Sequence, residues 1–152
     1  MPEQVELPRR YRPYGARCAA AIAAGALALS MAFLWVMLSQ EVKATFSTFQ
    51  RLTLLAFFAT ILFLLNAIFR TSAQADVDGL SVINGYKVRR FDWAEVLRVS
   101  VHSNRPWALL DVSDGSTVSV MAIQISDGDR ARRAARELAI IIQQQSAVGD
   151  AD

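Results

Sequence analysis

A single cysteine, Cys18, and a single histidine, His102, stand among the 152 residues of this chain. One cysteine excludes an intramolecular disulfide. The two residues together exclude a zinc site built on Cys and His alone. The phosphate-cradling patterns GxxxxGK and GxGxxG are absent. A hydrolase needs a nucleophile with a base in reach. His102 falls beyond Arg98 and Ser100 on the wet face of a strand pattern, where solvation is its expected role. Asp114 belongs to a turn, and Asp127 and Asp129 to a helix start. No catalytic residue, cofactor or metal is therefore expected, and the chain reads as a non-enzyme.

What the chain has is unevenly placed. Residues 1–70 carry seven basic and three acidic side chains, a net +4, while residues 71–152 carry nine basic and eleven acidic, a net −2. The positive excess sits beside apolar segments, where it sets membrane orientation. The mildly acidic remainder argues against a nucleic-acid partner.

Two uncharged runs stand out. Cys18 to Leu38 would form a helix about 31 Å long, and Leu52 to Phe69 one of about 27 Å, against a hydrocarbon core of about 30 Å. Neither shows a polar face, so both read as transmembrane helices. The first run exceeds the apolar core of a signal peptide and is soon followed by the second. A soluble domain of the remaining residues could not cover both. Neither run contains Asp, Glu, Lys or Arg, so no ion pathway is signalled.

Arg9, Arg10, Arg12 and Arg17 precede the first run, and Arg70 follows the second. The positive-inside rule then places both termini in the cytoplasm of a plasma (inner) membrane protein. The expected organisation is a basic cytoplasmic N-terminus (1–17), a first span (18–38), a short outer loop (39–51), a second span (52–69), a cytoplasmic domain (75–145) and a flexible tail (146–152). Cys18 falls near the inner interface, where an unmodified thiol is the default and acylation is open.

After a polar linker at Thr71 to Ala75 the period changes to two. Leu80 and Val82 point inward on one strand, Leu97, Val99 and Val101 on another, then Ala108, Leu110 and Val112, then Val118, Val120 and Ala122. Asn84-Gly85 and Asp114-Gly115 supply tight hairpin turns. Ser126 or Asp127 would cap a final helix with Ala131, Ala134, Ala135, Leu138, Ile141 and Ile142 along one stripe. The fold class expected is a membrane α-helical hairpin plus a small α+β domain, an antiparallel meander covered by a C-terminal helix.

The segments Val77-Asp78-Gly79-Leu80-Ser81-Val82 and Val88-Arg89-Arg90-Phe91-Asp92-Trp93-Ala94-Glu95-Val96 resemble the bacterial pleckstrin-homology-like (PH-like) domains, in particular the actinobacterial low-molecular-weight protein antigen 6 group. The resemblance covers roughly Ala75 to Gln144 and implies a curved antiparallel sheet capped by a helix, with no enzyme activity. Trp93 is expected to pack at a corner between strands. Trp107, after Pro106, is the expected partner contact, since exposed Trp marks interfaces. Lys87, Arg89 and Arg90 are the expected lipid contacts, because eukaryotic pleckstrin-homology domains often bind inositol phosphates through basic residues near their first hairpin, although the tight Asn84-Gly85 turn departs from a long phosphate-cradling loop. The function expected is a membrane-anchored interaction module that binds a protein partner or a second copy, with an anionic-lipid sensor as the alternative. The bilayer is itself a partner, and no small-molecule substrate is inferred.

Overall fold

A computed structural model describes residues 5–149. The chain divides into two compact units, one of residues 16–69, the other built from the segments before and after it.

The first unit is helical. Helix α1 runs Tyr14–Met37, α2 Gln40–Thr45 and α3 Thr48–Arg70. Both α1 and α3 are long and apolar enough to cross a membrane. Their large side chains are exposed all round, among them Ile22, Leu29, Phe33, Leu55 and Leu64. Such a surface suits lipid rather than water, because nothing polar alternates with it. The segment expected as a loop at 39–51 is largely helical. Ser39 caps α2 by accepting from Val42 N–H at 3.3 Å. Ser47 and Gln50 bond reciprocally at the head of α3, with Gln50 N–H to Ser47 Oγ at 3.3 Å and Ser47 N–H to Gln50 Oε1 at 2.9 Å. Each cap satisfies N–H groups that a helix start leaves free, so the helices reach into the connection.

The second unit holds two antiparallel sheets and a helix. One sheet has the order β1 (Arg9–Tyr11), β2 (Ser72–Asp76), β3 (Gly79–Asn84), β4 (Lys87–Phe91). The other has β5 (Val96–Ser100), β6 (Trp107–Val112), β7 (Thr117–Gln124). Helix α4, Asp129–Gly149, closes the core. Leu80, Val82, Ala108, Leu110, Val118, Val120 and Ala122 are buried as their alternation requires, and Ala131, Leu138, Ile141 and Ile142 face them from α4.

Several local expectations change. Thr71 to Ala75 is not a linker: Ser72–Asp76 is a strand, and Ala73 and Ala75 are fully buried. Small residues alternate there too, but they carry little hydrophobic signal. The segment before the first apolar helix contributes β1, which pairs Arg9, Arg10 and Tyr11 with Ala75, Gln74 and Ala73. The first strand pair of the fold therefore encloses both apolar helices in its connection.

The β3–β4 turn is one residue later than expected. Asn84 pairs with Lys87, and Gly85 takes φ 64°, which a two-residue hairpin with Gly in its first central position requires. Asn84 is used elsewhere. Its amide donates to the Ser119 carbonyl at 2.7 Å and accepts from Met121 N–H at 3.1 Å, which clasps β3 to β7. The inward set on β5 also differs. The register shifts between Val96 and Arg98, so Leu97 is an extra residue and stays exposed while Val96 is buried. A bulge puts two residues opposite one and breaks strict alternation. Val101 lies beyond the strand and is exposed. Residues 146–149, expected in the flexible tail, continue α4, and residues 150–152 lie outside the described residues.

Candidate interaction surface

Strand β4 is an edge of its sheet, and its backbone can pair on one side only. Lys87, Val88, Arg89 and Arg90 are all exposed. Side chains alternate across a strand, so Lys87 and Arg89 share one face and Arg90 takes the other. The three expected lipid contacts thus sit on one short strand but do not form one patch. They also do not follow the first hairpin. The first hairpin along the chain is β2–β3, and β4 is the return strand of the second, β3–β4. Beside β4, the Arg70 guanidinium stacks over Tyr86 at 5.3 Å.

Trp107 opens β6, half-buried, opposite Gln124. It lines a shallow cleft with Ser103, Arg105, Pro106, Ile125 and Ser126. The Pro106 carbonyl accepts from Ile125 N–H at 3.0 Å, which holds this corner closed behind the indole. Trp107 and β4 lie in different sheets.

His102 is exposed in the turn after β5. The Asp111 carboxyl is held below the usual range, first by the hydrogen bond from Arg98 Nε at 2.6 Å, with Thr117 adding to it. Asp114 is lowered as well, first by its hydrogen bonds from Ser116, whose N–H lies at 2.8 Å, with Arg89 contributing. Both carboxyls are explained by turn and cross-strand partners on the surface. Among the described residues no group of three or more His, Cys, Asp or Glu is placed to hold a metal.

Two residues act in ways their local sequence did not indicate. Asp127 does not cap α4. It sits in a short 3-10 turn, Ile125–Asp127, and its carboxylate accepts from Tyr14 N–H and Gly15 N–H, both at 2.9 Å. It therefore caps α1 from more than a hundred residues away and meets that helix's positive end. Gly15 permits the approach, since a Cβ there would lie 2.7 Å from Asp127 Oδ1. Tyr11 is the second. It is buried against the core, and its phenol is pushed up to about 12, mainly by burial and then by Glu137, with Arg9 opposing. Arg9 is itself bound to Glu137 of α4 at 3.0 Å.

The comparisons with known proteins agree with this architecture. Residues 70–139 match the model of the bacterial PH domain family. The uncharacterized protein Mb1452 of Mycobacterium bovis and the uncharacterized protein Rv1417 of Mycobacterium tuberculosis are each 45% identical over 53 residues, covering 35% of this chain and 34% of theirs. The match thus spans about a third of the length of these curated relatives. No solved structure matches significantly. PH domains are generally non-catalytic and commonly mediate protein or lipid interactions. Two antiparallel sheets closed by a C-terminal helix, together with the family match, mark residues 70–139 as a bacterial PH domain, which follows two apolar helices of membrane-spanning length.

Proposed function

We propose that the chain is a non-catalytic interaction module anchored in the plasma membrane, with both termini in the cytoplasm, where its PH domain binds a protein partner or a second copy. The pairing of β1 with β2 supports the orientation. Residues entering α1 and residues leaving α3 belong to one sheet, so the intervening helices return to the side they left. The flanking arginines favour that side being cytoplasmic. The test uses a Cys18→Ser background. A thiol-specific reagent that cannot cross the membrane should label Lys43→Cys in intact cells and Ser113→Cys only after lysis. The reverse pattern would overturn the orientation.

The observation that carries the binding reading is the open edge of β4. An extended segment of a partner can add to such an edge through main-chain hydrogen bonds. In a two-residue hairpin the residues flanking the turn, Asn84 and Lys87, bond to each other, so N–H groups of Val88 and Arg90 point outward. Val88→Pro therefore removes an outward donor and spares the β3–β4 ladder. It should abolish partner capture or self-association while leaving membrane insertion unchanged. Capture that survives Val88→Pro at full strength rejects the edge as the binding element. Trp107 is the second proposed contact, half-exposed at its corner.

The lipid alternative is favoured by the exposure of Lys87, Arg89 and Arg90 together, none of them in an ion pair among the described residues. Each would contribute about 1 kcal/mol near an anionic surface. Their combined replacement by alanine should then weaken salt-sensitive attraction of the full chain's PH domain to phosphatidylglycerol vesicles. An unchanged salt dependence would remove this reading.

A further inference from the structure

We infer that the cleft between β1 and the first turns of α4 holds the phosphate headgroup of an anionic membrane lipid. The inference rests on α1 crossing a membrane, and not on the partner-binding reading of β4. The cleft has a volume of about 420 Å³. Five arginines line it, Arg9, Arg10 and Arg12 from one wall and Arg130 and Arg133 from the other, against two acidic residues, Asp127 and Glu137. Both acids are already engaged. Glu137 holds Arg9, and Asp127 accepts from the head of α1. Arg10, Arg12 and Arg133 are exposed and make no ion pair among the described residues. The positive charge of the cleft is thus in excess and uncommitted.

The site is also organised. The Arg130 guanidinium carbon lies over the Tyr14 ring, 4.1 Å from its centre, a cation–π contact that holds the side chain at the rim. Arg130, Arg133 and Glu137 recur at helical spacing on the side of α4 that meets β1. Arg132 and Arg136 flank the apolar stripe on its other side, where they meet Val99 and Val101. Beneath Arg9, the buried Tyr11 hydroxyl finds no hydrogen-bond partner of acceptable geometry, although Arg9 approaches it. The cleft floor therefore has an unused donor, which a phosphate drawing on Arg9 can enlist after a small side-chain shift.

The choice of a lipid over a free anion follows from chain connectivity. Tyr14 lines the cleft and is the first residue of α1. It stands four residues before the uncharged run begins at Cys18, about 6 Å along a helix. A cleft joined to a membrane span by so few residues is within reach of the headgroups, where tyrosine and arginine anchors collect.

The full chain in mild detergent, titrated with phosphatidylglycerol or phosphatidylcholine and read by native mass spectrometry, tests the assignment. The wild type should retain phosphatidylglycerol preferentially. Arg130→Gln with Arg133→Gln should weaken that retention about twenty-fivefold, two surface charges each worth about fivefold. Arg132→Gln with Arg136→Gln, and Lys87→Ala with Arg89→Ala and Arg90→Ala, should leave it within about twofold. Equal losses in all variants would mean general surface charge and overturn the site, as would no preference in the wild type. Inorganic phosphate displacing the lipid at equal concentration would assign a soluble anion instead and overturn the lipid assignment.

A second reading uses only wild-type protein, in discs of either lipid. Phosphatidylglycerol should slow dicarbonyl modification of Arg130 and Arg133, but not of Arg89 and Arg90, and equal rates in both lipids overturn the proposal. The thiol labelling of Lys43→Cys and Ser113→Cys separates the two failures. A correct topology without lipid selectivity sinks the cleft alone, and a wrong topology sinks the membrane reading on which it rests.

Discussion

Replacing Trp93 by alanine should cost the PH domain about 3–5 kcal/mol, the range for deleting a large buried aromatic. Trp93 opens the 3-10 turn Trp93–Glu95, where the chain passes from the first sheet to the second. The turn is fixed by its own cap: Glu95 Oε2 accepts from Asp92 N–H at 3.0 Å, and Glu95 N–H bonds back to the Asp92 carbonyl at 2.9 Å. The indole is 9% exposed and joins the core beside Val96. Its Nε1–H is shared between the carbonyls of Asp76 and Val77, at 3.0 and 3.2 Å. One side chain thus fills the corner and ties it to the β2–β3 turn. Truncation opens a cavity and removes the donor that the two carbonyls share. Trp93→Phe keeps most of the packing and should cost about 0.5–1.5 kcal/mol beyond the volume change, the net worth of the lost hydrogen bond. Hydrogen exchange over residues 72–112 of the full chain reads the domain separately from the apolar helices. Alanine protection factors within about 1 kcal/mol of wild type would sink the account.

The second large effect is expected at Tyr11. Tyr11→Ala should cost about 3–5 kcal/mol, because the ring is buried in the core and is the only such residue that β1 supplies. Three residues of β1 hold too little ladder to stay paired without it. The observable is faster exchange in β2, whose outer edge would open. Unchanged exchange there would mean that β1 is not held by this ring.

Tyr11 also sets a pH dependence. Its phenol rises from 10.0 to about 12 in the fold, chiefly through burial. Below pH 10 the folded and unfolded phenols are both neutral, and the contribution of the buried ring is fully present. Between about 10 and 12 the unfolded phenol ionises and the folded one does not, so stability falls as pH rises through that window. Tyr11→Phe should remove this part of the alkaline loss, measured as the difference between the two melting curves over pH 9 to about 12.

The elements legible in the sequence are those whose signals are local. Two long uncharged runs give α1 and α3. Alternation over Ala108, Leu110, Val112 and over Val118, Val120, Ala122 gives β6 and β7, and the stripe from Ala131 to Ile142 gives α4. In each case the pattern repeats within one element, and every repeat reports the same face. The motif around Gly79-Leu80 and Phe91-Asp92-Trp93 indicated the PH domain, and the family match covers the same segment. His102, read as a surface residue, is exposed after the end of β5.

What was missed is non-local in each instance. Strand β1 is three residues long and acquires its structure from a partner more than sixty residues away. β2 hides its alternation in alanines, whose burial comes from tertiary packing and not from hydrophobic strength. Asn84 reads as a turn residue, but it bonds across to β7. Asp127 reads as the cap of the helix that follows, but it caps α1. Leu97 reads as inward until a bulge moves it out. The sequence by itself determined the two long apolar helices, the order of most strands and the amphipathic closing helix, because hydrophobic period and turn chemistry act over neighbouring residues. Only the tertiary structure decided that the segment before the first apolar helix belongs to the PH sheet, and that its arginines meet those of α4 across one cleft. Chain closure on that scale is settled by packing free energy summed over the whole domain, which no short window of residues contains.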